Sequence, residues 1–349
     1  MYHILPHSSI TPNRNPSLDC MRGIAILLTC YAHFSALGRT DLNWYLNVTI
    51  YQFHMPLFCF VSGACANYSS KRLSQRILSL FSEYIAAQTF FFLLFWKYIV
   101  PTDLLLYPQG INWYFLSQLF WLILYLLCSR FSFIYVFSFS IAFSLFLGFF
   151  NIDQNILGIG RTFFLFPFFI LGAHTTGGFL PKDKRIVLPL ILSYLCLNQF
   201  YLASSLEQVN RSWYFGSYSY AQQSYTPFIR ILIYCTAFAW IAMISQLTAF
   251  PALQKLLCIR PLCNFFSHIG QHSLSIYFLH GLVYMWMIYH SLSFDRIPAL
   301  PREFVLLVFS LLVTFICSRP LPSKFVHLIL HFPYTIASIF FKTDTLHHK

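Results

Sequence analysis

The first long apolar stretch of the sequence contains three residues able to do chemistry, Asp19, Arg22 and His33. At 100° per helical residue, the three steps from Asp19 to Arg22 and the eleven from Arg22 to His33 keep all three on one face. Eleven residues rise about 16 Å, which puts Arg22 near one rim of a membrane and His33 deep in its far half, so that one polar stripe forms a corridor inward. An ionisable residue inside a span costs at least about 2.5–3.5 kcal/mol at the centre, so each needs a partner or a task. An imidazole there suits proton transfer, and a guanidinium suits an anion. The structural alternative is that Asp19 and Arg22 anchor the helix at the lipid surface while His33 bonds a neighbouring carbonyl.

A second histidine follows in Phe53-His54-Met55-Pro56-Leu57-Phe58. The turn after the first helix is short, so His54 is expected at a depth similar to that of His33. Pro56 frees a helical carbonyl, and Ser62-Gly63 allows close approach or a bend; a proline-kinked packing helix is the alternative. Lys71, Arg72 and Arg76 come next. As a bare charge run they are an orientation signal, and as a cluster at the mouth of a polar stripe they are a phosphate clamp. Arg161 stands at the start of a later apolar run, as a rim charge or a substrate contact. His280, in Ser275-Ile276-Tyr277-Phe278-Leu279-His280, reads by itself as a structural hydrogen-bonding residue.

Positioning these groups calls for a membrane scaffold. Of 349 residues, 58% are hydrophobic, 20% aromatic and 9% charged, against about 25% charged in soluble domains. That composition and a mean hydropathy of +0.63 leave too little polar surface to cover a soluble core. The ten cysteines are scattered singly, with no CxxC pair and no Cys/His cluster, so neither a disulfide framework nor a metal site is expected. A hydrocarbon core of about 30 Å takes about 20 apolar residues as helix. Ten such runs are found, near 18–38, 48–67, 81–100, 112–129, 131–150, 162–180, 186–204, 227–248, 270–291 and 303–320, the fourth and fifth separated at Ser129–Arg130.

The expected fold is therefore an all-α integral membrane protein of about ten helices with no soluble domain. Residues 1–17 form an N-terminal segment, 18–320 the membrane domain, and 321–349 a tail lying along the inner surface. With both termini cytoplasmic, 15 of the 22 Lys and Arg residues face inward, the direction of the positive-inside rule. This accounts for the net charge of +12 without nucleic acid. The first span carries charge and no small-residue cleavage site, so it is not a signal peptide. The longest loop, from Ser205 to Thr226, falls on the outer side and contains Arg211, Trp213, Tyr214, Gly216 and Tyr218.

Together these residues resemble the membrane acyltransferase-3 family, ten-helix O-acyltransferases of cell-surface sugars. Leu18-Asp19-Cys20-Met21-Arg22-Gly23-Ile24-Ala25 running to His33 is similar to the family's opening helix, with its arginine, ten residues, then histidine. His54-Met55-Pro56 with Ser62-Gly63, the Tyr277-to-His280 segment and Asn112-Trp113-Tyr114-Phe115-Leu116 resemble further family segments. Arg161-Thr162 through Pro167-Phe168-Phe169 and Gly172 resembles the fucose O-acetylase branch. The family pattern usually places an arginine three residues after Arg76 and then a proline; this chain has Ser79 and Glu83 there.

The resemblance implies acetyl-CoA as co-substrate, with no permanently bound cofactor. It implies a surface glycan or lipid-linked sugar as acceptor and a bacterial inner membrane as setting. His33 is then the general base and Asp19 and Arg22 position the donor. Lys71, Arg72 and Arg76 hold CoA phosphates, and His54, Arg161, His280 and Trp113 serve the acceptor. A transporter of a sugar-linked lipid uses the same groups to line a path, without an acyl donor. A receptor or assembly scaffold tolerates exchange of His33 and Arg22 for apolar residues.

Overall fold

The computed structural model describes residues 15–38, 40–66, 70–175, 187–249, 254–255 and 259–344, apart from the side chains of 70–72, 105 and 333–344. Among the described residues there are helices and no strand. In chain order the helices are α1 (Pro16–Ser35), α2 (Asp41–Tyr51), α3 (His54–Ala64), α4 (Ser70–Phe95), α5 (Asp103–Leu106), α6 (Trp113–Cys128) and α7 (Phe133–Leu147). After these come α8 (Ile159–Thr175), α9 (Val187–Ser204), α10 (Pro227–Ala249), α11 (Arg260–Gln271), α12 (Ser273–Tyr289), α13 (Ala299–Cys317) and α14 (Pro320–Asp344). Five described helical stretches are long and apolar enough to cross a membrane, within α4, α8, α9, α10 and α13; α6, α7 and α12 are apolar but shorter.

Described helices fall on each of the ten expected apolar runs, two of them with a break. The second is split between α2 and α3 at Gln52–Phe53, and Pro56 falls in the first turn of α3, where its missing N–H costs no helical bond. The proline therefore does not kink a continuous helix, as the sequence suggested. The ninth is preceded by α11, which turns into α12 at His272. α4 starts eleven residues earlier than its apolar core, because its first turns are amphipathic and one face is covered by other helices.

α1 is the central helix. Asn15 caps it by accepting from the Ser17 amide, Pro16 sits in the first turn, and α2, α3, α10, α11, α12 and α13 all pack on it. Backbones come unusually close where α3 crosses α8. A Cβ on Gly63 would lie 1.9 Å from the Phe169 carbonyl oxygen, and one on Gly172 would lie 1.9 Å from that of Phe60. Small residues at such crossings let helices gain dispersion contact that lipid cannot supply. Gly23 and Gly270 make the equivalent crossing of α1 and α11. Outward, α7 and α9 present Tyr135, Phe139, Leu197 and Phe200, each more than two-thirds exposed, the sheath expected of a lipid-facing surface. The stretch from 321 is helical to Asp344 and lies along α4, where Phe325 meets Phe90 at 6.4 Å between ring centroids.

Candidate active site

We call the end of the bundle where α1 begins proximal and the end where it stops distal. Near the distal end a cavity of about 220 Å³ is lined by His33, His54, Trp113, Arg161, Arg211 and Tyr277, among others. His33 comes from α1, His54 from the first turn of α3, Trp113 from the start of α6 and Arg161 from the start of α8. The α2–α3 break gives His54 its setting. It leaves the Ile50 carbonyl at a helix end, 2.9 Å from Nδ1 of His54.

His280 fixes the state of His33. Nδ1 of His280 lies 2.8 Å from the Ile276 carbonyl, which only accepts, so that nitrogen carries the proton. In the neutral ring Nε2 of His280 is then an acceptor. It lies 3.1 Å from Nδ1 of His33, which must donate. Nε2 of His33 is left as an unprotonated lone pair on the ring that lines the cavity. Tyr284 stacks on that ring at 4.8 Å and 18°, holding its plane. His280 is fully buried behind His33 rather than on the cavity wall. Its place is that of an orienting residue, unlike the acceptor contact expected from sequence.

Arg161 and Arg211 approach opposite partners around one ring. Their guanidinium carbons lie 5.7 and 5.8 Å from the centroid of Phe215. Arg161 also stacks on Trp113 at 4.8 Å and donates from Nε to the Ser217 hydroxyl at 2.7 Å. Arg211 lies 5.3 Å from the Tyr51 ring and donates to the Asn47 side chain at 3.3 Å. The loop after α9 thus folds over the distal mouth, with a 3₁₀ turn at Arg211–Phe215. Gly216 ends that turn at φ +68°, and a Cβ there would meet Phe164 at 2.4 Å, so glycine is required on both counts. Sequence reasoning left Arg211 in an outer loop. Its signal was the density of arginine and aromatic residues in the longest connection.

A second, proximal region is lined by Arg22, Arg76, Ser62, Gln118 and Tyr114, in two adjoining cavities of about 100 and 190 Å³. Arg22 pairs with Asp19 at 3.7 Å and donates to Cys65 Sγ at 3.3 Å. Arg76 meets Glu83 at 2.8 Å, and the Ser79 hydroxyl donates to the same carboxylate oxygen at 2.7 Å. The residues replacing the family's arginine and proline therefore hold Arg76 in a pair. The side chains of Lys71 and Arg72 lie outside the described residues.

Proximal and distal cavities share Tyr277, whose hydroxyl donates to the Ile111 carbonyl at 2.7 Å. The two cavities thus meet at the ring of Tyr277, along the stripe that runs from Arg22 to His33. Among the described residues no three His, Cys, Asp or Glu side chains converge as a metal site would need.

A helical bundle embedded in lipid, with an oriented imidazole in one cavity and paired cations in another, defines a class of membrane enzyme. The acyltransferase-3 family model, described as an acyltransferase domain, matches residues 15–319. The chain belongs to that family. No curated protein and no solved structure matches it.

Proposed function

We propose that the protein is an O-acetyltransferase of a bacterial inner membrane, moving acetyl from cytoplasmic acetyl-CoA to a hydroxyl of a cell-surface or lipid-linked sugar. The observation that carries this reading is the chain from the Ile276 carbonyl through His280 to His33, which leaves Nε2 of His33 free beside the distal cavity. The proximal end is the cytoplasmic one, in keeping with the charge bias, and Arg22 and Arg76 receive the donor there. The acceptor occupies the distal cavity against His54, Arg161 and Trp113.

A hydroxyl is a poor nucleophile near neutral pH, so proton removal must accompany attack. The acceptor oxygen attacks the thioester carbon as Nε2 of His33 takes its proton. The resulting imidazolium is held through Nδ1–H to His280, whose own proton rests on Ile276. Arg161 faces the developing oxyanion, where fixed donors in a dry site contribute most, while His54, whose Nδ1 proton rests on the Ile50 carbonyl, can only accept from an acceptor hydroxyl through Nε2. The C–S bond then breaks, the ester is released, and the CoA thiolate recovers the proton from His33.

The test is acetyl transfer by membranes containing wild-type or His33→Ala protein, read by mass spectrometry of surface glycans. Loss of a general base lowers transfer by about 10²–10⁴-fold. Undiminished acetylation at equal expression removes the mechanism. If the solubilised wild-type protein consumes no acetyl-CoA with any acceptor, the enzymatic reading falls in favour of transport.

A further inference from the structure

The two arginines that line the distal cavity differ from the two buried arginines of the same region, Arg230 and Arg302. Arg230 is 1% exposed and spends its guanidinium inside the protein. It donates to the Ser144 carbonyl at 2.8 Å and the Tyr218 carbonyl at 2.9 Å, and also to the Tyr225 hydroxyl. Arg302, near the same end, bonds backbone carbonyls and Asp295 at 3.2 Å. Those are arginines whose donors are consumed by the fold.

Arg161 and Arg211 are not consumed in this way. A guanidinium carries five N–H donors. The hydrogen bonds found for these two are a single bond from Arg161 Nε and a single bond from Arg211 Nη1, both to neutral side chains. Aromatic faces cover them, which orients a guanidinium without filling its in-plane donors. Among the described residues lining the cavity there is no aspartate or glutamate. Two cations lining one cavity that holds no acid repel one another unless an anion balances them. The proximal cavities give the contrast, since there Arg22 and Arg76 each have an acid, Asp19 and Glu83.

We infer that the acceptor itself is anionic: Arg161 and Arg211 together receive a carboxylate or phosphate group that the sugar carries. A single arginine suffices to steady an oxyanion developing at the acetyl carbon. The second, delivered by the loop over the mouth, provides a site for a charge already present in the ground state. Bidentate guanidinium geometry suits planar carboxylate and phosphate edges equally, and both occur on surface glycans and their lipid-linked precursors. This inference rests on the distal cavity being the acceptor site, as proposed above, and goes beyond it by naming the chemistry recognised there.

Binding to the purified full chain in detergent tests it without requiring turnover. Trp113 and Trp44 stack on Arg161 and Arg211 at 4.8 and 5.6 Å, so tryptophan fluorescence reports occupancy. The probes are methyl β-D-glucuronide, its uncharged carboxamide, glucose 1-phosphate and methyl β-D-glucoside. The expected result is saturable binding of the glucuronide or the sugar phosphate about tenfold or more tighter than of the two neutral sugars, in line with a charge-assisted bond. Whichever anion binds tighter identifies the source as an acidic sugar or a phosphate-bearing precursor. Arg211→Gln and Arg161→Gln are expected to lose that preference, while Arg161→Lys keeps part of it; thermal melting of each variant separates loss of binding from loss of fold. Equal binding of glucuronide and carboxamide, absence of saturable anion binding, or an anion preference unchanged in Arg211→Gln overturns the inference. Acetyl-CoA consumption by the same preparation is scored separately. A protein that acetylates a neutral sugar and ignores anions refutes this inference alone, whereas one that binds anions but never consumes acetyl-CoA refutes the enzymatic reading alone.

Discussion

A histidine becomes a dependable base only when something decides which nitrogen carries the proton. Here that decision is made by His280, and it leads to a specific expectation. His280→Ala removes the acceptor from Nδ1 of His33 and should lower acetyl transfer by about tenfold or more, less than the loss in His33→Ala. His280→Gln, whose side-chain carbonyl can accept the same proton, should recover part of the rate; KM for acetyl-CoA should stay unchanged in both. A second expectation concerns Glu83, buried beside Arg76. Glu83→Gln frees Arg76 from its ion pair and should lower KM for acetyl-CoA, measured by initial rates. An unchanged KM removes Arg76 from donor binding. The pairing of Arg22 with Asp19 was legible from spacing alone, since helical periodicity is a local property. That His280 lies behind His33, and that Arg211 reaches the cavity from a loop, depends on tertiary folding that no spacing reveals.

Among the elements, the crossing of α3 and α8 carries the site, because it sets His54 and Arg161 on adjacent backbones. Gly172→Val places branched carbons where only 1.9 Å separates an ideal Cβ from the Phe60 carbonyl oxygen. The helices must part, and the expected outcome is loss of monodisperse protein on size exclusion in detergent, with no activity to recover. Gly216→Ala is milder. It combines a positive φ with contact against Phe164, and it should displace the loop that carries Arg211, raising KM for the acceptor more than it lowers kcat. Ser62-Gly63 already read as a close approach in the sequence. The two breaks did not read, because a hydropathy window averages across Gln52–Phe53 and across His272. Both are places where a few residues of poor helical register cost little, since the flanking stretches remain apolar.

At the scale of the molecule, Arg22 and Arg76 of the proximal region each have an acid partner, whereas among the described residues no acid lines the distal cavity with Arg161 and Arg211. If donor and acceptor enter from opposite ends, reconstituted vesicles should show it. Acetyl-CoA supplied only to the face bearing Arg22 and Arg76 should support transfer, and the same amount on the other face should not. Equal rates from both faces would contradict the assignment of the two cavities. The lipid-embedded class was legible from composition, because 9% charge cannot clothe a soluble surface. That Tyr277 would line both cavities was not, because it depends on how the helices pack.

That side chain has a bioenergetic consequence. A polar path open from end to end through a membrane that holds an ion gradient would let that gradient leak. Tyr277, tied to the Ile111 carbonyl at 2.7 Å, stands on the wall of both cavities, where such a path would have to pass. Replacing it with glycine should collapse a pH gradient across sealed proteoliposomes faster than the wild-type protein does, as read by an entrapped pH dye. A leak no faster than that of the wild-type protein would show that this ring is not what keeps protons from crossing.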